Sequence, residues 1–189
     1  MILPLFRRKQ QSDTIAILYG MIVAQARLPC FYRDYGVADT VNGRFELIVL
    51  HMVLFLRRVT DEAAEIRALG QDVFDLFCQD MDCNLREIGI GDLAIPKEMR
   101  RIGDAFYGRA QAYEVALASS GELALVETVA RNIFGVVGQT SARPAGARRL
   151  AAYMRAAAGE LTAQRSGVYA RAELRFPDPA SVAVPAALA

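Results

Sequence analysis

The chain has 189 residues, 53% of them hydrophobic and 23% charged, which suits one compact domain and excludes general disorder. Its 22 Lys and Arg offset 21 Asp and Glu to a net charge of +1, so no overall basic field points to nucleic acid. A single histidine rules out His-rich zinc sites, two-histidine iron sites and H-E-x-x-H proteases within one chain.

No metal and no cofactor is expected from this composition, and any Ser-His-Asp triad has to use His51. The three cysteines, Cys30, Cys78 and Cys83, form no C-x-x-C and fit a reducing compartment. At the N-terminus the apolar residues of Met1 to Phe6 precede the basic cluster Arg7-Arg8-Lys9, the reverse of a signal peptide. Phe45 to Leu56 reads as the most apolar segment; it is far shorter than the ~20 residues a span needs and contains Glu46 and His51. These features place the protein in the cytoplasm without a spanning segment.

In chain order, residues 1–11 read as a flexible leader. Ser12 or Asp13 then caps a helix, and Ile15, Leu18, Tyr19, Ile22, Val23 and Ala26 follow at helical spacing until Pro29 stops the run. Residues 29–43 lack a sustained period but hold Phe31, Tyr32, Tyr35 and Val37, which are costly to leave in water, so an ordered loop is predicted. The helix at about 43–59 is apolar nearly all round and should be central. The next, about 61–88, carries Ile66, Leu69, Val73, Leu76, Phe77, Met81, Leu85 and Ile88 on one stripe. Gly70 is placed to break or bend it, and Gly89 to end it. Pro96 suits the first turn of a helix with the stripe Met99, Ile102, Phe106, Ala110, Tyr113 and Leu117. A further helix at about 121–136 uses Leu123, Val126, Val129, Ala130, Ile133 and Phe134, and Pro144 opens an Ala-rich one. Residues 177–189 have lost periodicity and read as a disordered tail. The prediction is an all-α, single-domain helical bundle of about six helices over residues 12–176.

Few constellations suggest chemistry. Asp80, Asp82 and Asn84 have the start of a calcium loop, but Leu85 and Gly91 stand where it needs Gly and Glu. Gly89-Ile-Gly91-Asp92 is explained by a helix stop and a turn. His51 reads as a core histidine bonded to a carbonyl or carboxylate, and Met52 and Met81 as core. Arg44, Asp82, Arg86, Asp92 and Arg109 lie beside apolar stripes. They either brace the fold or form a polar docking surface. The alternative function is a small-ligand-binding protein or enzyme using Arg44, Asp82, Asp92 and Arg109.

Four blocks in series resemble the ubiquinol–cytochrome c chaperone family. They are Tyr19 to Arg27 with Pro29, Phe31 and Tyr32; Gly36 to Thr40 through Gly43-Arg44-Phe45-Glu46 to His51; Phe74-Asp75 through Asp80-Met-Asp82 to Leu85-Arg86-Glu87-Ile-Gly89-Ile-Gly91-Asp92; and Lys97 through Phe106-Tyr107-Gly108-Arg109 to Tyr113. The resemblance covers about residues 15–118. It implies a helical binding protein without enzymatic activity that holds newly made cytochrome b and hands it on for haem insertion and assembly of complex III. It also names a small partner protein and the ribosome, which mitochondrial relatives use. With no organelle presequence read at its N-terminus, the chain is expected to look like a bacterial member. The five polar residues become partner-docking candidates, and Leu3, Leu5 and Phe6 beside Arg7-Arg8-Lys9 offer a weak peripheral membrane contact.

Overall fold

A computed structural model of the chain describes residues 3–136 and 145–183, with side chains from Gln11 onward. The first helix, α1, runs from Leu3 to Ala26. Ser12 and Asp13 therefore sit inside it and cap nothing, because an uninterrupted backbone ladder reaches back through residues that the sequence suggested as a loose leader. After Pro29 a five-residue helix, α2 (Pro29–Arg33), forms within the predicted loop. Phe31, Tyr35 and Val37 are buried there, as their apolar bulk demands.

Helix α3 (Val41–Thr60) is the centre of the molecule, with α1, α4, α5, α6 and α7 packed against it. Thr40 caps it by accepting a bond from the Gly43 amide at 3.1 Å. Its residues 46–55 are all buried, which is why its apolar residues show no polar face.

Helix α4 (Ala64–Glu87) continues unbroken through Gly70. The glycine is there for space: a Cβ would lie 2.6 Å from a Val59 methyl, so its absence lets α4 close onto α3. The helix ends as predicted. Gly89 takes φ +87°, and Gly89 and Ile90 donate to the Arg86 and Leu85 carbonyls, the paired pattern of a left-handed stop. Helices α1 and α4 run parallel, tied by Gln11 to Asp72 at 3.2 Å and by the Tyr19 hydroxyl to Asp80 at 2.6 Å.

Helices α5 (Ile95–Ala118), α6 (Glu122–Phe134) and α7 (Ala145–Ala163) complete the bundle, followed by a single turn, α8 (Gly167–Ala170). Pro96 lies in the first turn of α5, where its missing N–H does no harm. On α6 the buried stripe uses Leu125, and Leu123 is 59% exposed. Pro144, read as the opening of the Ala-rich helix, lies outside the described residues. Among those residues every regular element is a helix and there are no strands.

The segment expected to be tail behaves differently up to residue 183. Pro179 is buried, the Tyr35 hydroxyl donates to its carbonyl at 2.7 Å, and Gln25 donates to the Pro177 carbonyl at 3.1 Å; just before this segment, Phe176 packs edge-on against His51 at 5.2 Å. Residues 184–189 lie outside the described residues. Gln11–Arg33, rather than Phe45 to Leu56, is the stretch long and apolar enough by length and composition to cross a membrane. In the fold its Leu18, Ile22, Ala26 and Phe31 belong to the core.

Candidate functional site

Arg44 stands in the first turn of α3 and donates to Asp39 at 2.7 Å, with both side chains more than half exposed. At the end of α4, Asp82 and Arg86 are four residues apart and so share one helix face, where they pair at 2.6 Å. The same guanidinium holds Asp92 of the following loop. Arg86 thereby clamps that loop to the last turn of α4, and its hydrogen bond keeps the Asp82 carboxyl below the usual carboxylate range.

A three-residue turn joins α3 to α4, so the start of α3 and the end of α4 lie at one end of the bundle. Arg44, Asp82, Arg86 and Asp92 are gathered there. Three apolar side chains stand in water at the start of α3 and on the α4–α5 loop: Val41 is 83% exposed, Ile88 69% and Leu93 fully exposed. Apolar tips beside solvated ion pairs are the composition of an interface rim and anchor.

Arg109 belongs elsewhere. It projects from the middle of α5 to Glu46 of α3, and both guanidinium nitrogens that face the carboxylate donate to it. Glu46 is completely buried, whereas Arg109 keeps a narrow opening to solvent. Hydrogen bonding to Glu46 raises the Arg109 pKa above its already high normal value. Tyr113, fully buried nearby, has its hydroxyl pushed far above the usual phenol range by burial and by the Glu46 charge. Arg109 thus braces α5 on α3. Glu46, 63 residues away in sequence, carries no local signal that identifies it as the partner.

His51 is a satisfied core residue. Its Nδ1 donates to the Leu47 carbonyl at 2.7 Å, while Nε2 accepts from the Tyr153 hydroxyl at 2.8 Å, which in turn accepts from Gln25 at 3.0 Å. That relay joins α3, α7 and α1 with every group neutral. Burial lowers the His51 pKa to about 4. On the α4 surface Asn84 donates to the Asp80 carboxylate, which also accepts from the Tyr19 hydroxyl, as helix-face residues do.

The four residues of the small-ligand alternative fall into three separate ion-pair groups: Arg44 with Asp39, Asp82 and Asp92 with Arg86, and Arg109 with Glu46. The described surface offers open, shallow depressions instead. One of about 250 Å³ lies between α3, α4 and α5, floored by Leu56, Val59, Phe74, Phe106 and Tyr107. A second, about 460 Å³, shares Leu56, Thr60, Phe106 and Tyr107 with it. A third, about 450 Å³, meets the second at Arg57 and is bounded by the end of α7. Sequence reasoning missed this surface, although its signal was present. If Phe106 faces the core, its neighbour Tyr107 is turned outward by one helical step.

Comparison with known proteins then gives the setting. No curated protein matches the chain. The crystal structure of the Cbp3 homolog from Brucella abortus is similar at 36% identity, with a TM-score of 0.85 over 97% of this chain and all of that one. The family model described as ubiquinol–cytochrome C chaperone matches residues 33–176. The chain belongs to the ubiquinol–cytochrome c chaperone family.

Proposed function

We propose that the protein is an assembly chaperone that binds newly made cytochrome b and supports assembly of the ubiquinol–cytochrome c reductase, complex III, without chemistry of its own. The observation that carries this reading is the whole-chain likeness to the Cbp3 homolog together with the family match over residues 33–176. The form of the surface agrees with it. Open apolar depressions with polar rims suit a protein client better than an enclosed site with converging polar groups would.

Within this reading Arg44, Asp82, Arg86 and Asp92 dock the client or a small partner protein at the end of the bundle that carries Val41, Ile88 and Leu93. Arg109 contributes by holding α5 in place. The protein works in the cytoplasm at the membrane face where cytochrome b inserts. The apolar and basic residues of Met1 to Lys9 give it weak, reversible contact with lipid. The test is purification of the tagged chain from detergent-solubilised membranes of its own cells. Cytochrome b should co-purify in stoichiometric amount, and its absence under conditions that keep other membrane complexes intact sinks the proposal.

A further inference from the structure

Resting on the chaperone reading, we propose that the three adjoining depressions form one groove that receives an uncharged apolar α-helix of the client, laid across the C-terminal half of α3. The first two depressions share Leu56, Phe106 and Tyr107, and the third continues from Arg57, so the groove runs from the α3–α4 seam over α5 to the end of α7. Its floor is aromatic. The rings of Phe74 and Phe106 lie 4.8 Å apart, and Phe106 meets Tyr107 edge-on at 5.8 Å. Tyr107 stays 65% exposed, a large apolar ring left in water beside a buried aromatic cluster.

Charge identifies the occupant. The cations of the groove are already committed: Arg57 pairs with Glu114 at 2.9 Å, and Arg67 donates to the Glu62 carbonyl. Arg155 is spent on the Leu117, Ser119 and Gly121 carbonyls. The lining sets three arginines against Asp61 and Glu114, so its charge is nearly balanced and offers little single-sign field to an acidic peptide or a nucleic acid. A neutral helix matches these walls. Shape agrees, because past Arg155 the α7 bank consists of Ala158, Gly159, Thr162 and Ala163. Such small residues let another helix approach closely, and a Cβ added at Gly159 would meet open space. A newly made membrane subunit presents just such helices, apolar stretches of ~20 residues that need cover outside the bilayer.

The test uses the full chain and a fluorescent peptide of about 20 Leu and Ala residues with a Lys pair at each end, in mild detergent, read by anisotropy. The wild type should bind it, and an Ala/Glu helix of equal length should bind at least ~10-fold more weakly. Tyr107→Asp, which puts a charge on the floor, and Gly159→Trp, which fills the α7 side, should each weaken binding ~10-fold or more with unchanged melting temperature. Ile17→Asp, on the exposed face of α1 and outside both the groove and the polar end of the bundle, should leave it unchanged. The groove is refuted if the wild type ignores the apolar peptide, if both helices bind equally, if neither groove variant matters, or if only Ile17→Asp does. Cytochrome b co-purification runs alongside. Retention by both groove variants overturns the groove and leaves the chaperone standing, whereas loss from the wild type overturns the chaperone reading itself.

Discussion

At the scale of single residues, burial decides what each charge is for. Glu46 is fully enclosed and its carboxylate depends on Arg109, so Arg109→Glu leaves two anions in a confined space. Breaking a buried pair from one side costs about 3–5 kcal/mol, against the small effects of exposed pairs. Urea denaturation should show that loss for Arg109→Glu and for Arg109→Met. Pairing Arg109→Met with Glu46→Gln should recover much of it, and no recovery would mean that the pair is not coupled. His51 makes the second case. The native ring stays neutral down to about pH 4, whereas an exposed histidine protonates near 6.5. The unfolded chain therefore binds the extra proton between these values. Stability should be complete above about pH 6.5 and fall as pH drops toward 4, by on the order of 3 kcal/mol in all. Between pH 6.5 and 5 the carboxylates held low by arginine, such as Asp34, Asp39 and Asp82, keep their charge in both states, so the slope there belongs to the only histidine. His51→Gln should be less stable than wild type at neutral pH but flat across that window. A slope that survives the substitution would assign it to other groups.

At the scale of elements, local chemistry was legible where it acts locally. The Pro96 start, the Gly89 stop and the all-round apolar α3 each follow from a rule that needs only neighbouring residues. Boundaries set by distant packing were not legible. Gly70 looked like a helix breaker, yet it makes room for Val59, 11 residues earlier, and Pro179 is held by Tyr35, 144 residues away. Both features have measurable consequences. Gly70→Ala gains about 1 kcal/mol of helix propensity but crowds a stiff, branched neighbour at 2.6 Å, where overpacking costs about 1–3 kcal/mol. The net effect should be a lower urea midpoint, and a higher one would show that α3 and α4 separate easily. Truncation after Pro177 removes the acceptor of the buried Tyr35 hydroxyl and uncovers the groups beneath Pro179. An unsatisfied buried hydroxyl costs about 1–3 kcal/mol, and each kcal/mol is worth about 2–4 °C in a chain of this size. The melting temperature should drop by several degrees, with truncation after Ala183 as the control that keeps the contact.

For the whole molecule, the same division separates the five polar residues that the sequence singles out. Asp82 and Arg86 could be paired from their spacing alone, since four residues bring two side chains onto one helix face. Arg109 could not, because its partner arrives through the packing of α5 on α3. The polar set was therefore visible in the sequence as a set, while its partition into bracing and solvated members was not. Nor was the Tyr107 groove, which exists only after three helices converge. That partition yields a joint prediction for charge reversal at Arg44, Asp82, Arg86, Asp92 and Arg109. The first four lie in exposed pairs, whose loss is screened by water, so their melting temperatures should stay close to wild type. Arg109→Glu should melt many degrees lower. If the exposed end of the bundle docks the client, Arg44→Glu and Arg86→Glu should lose cytochrome b several-fold while remaining folded. Should all four exposed variants retain cytochrome b and only the unfolded Arg109 variant lose it, the polar end is not a docking surface, and client binding has to be sought along the groove.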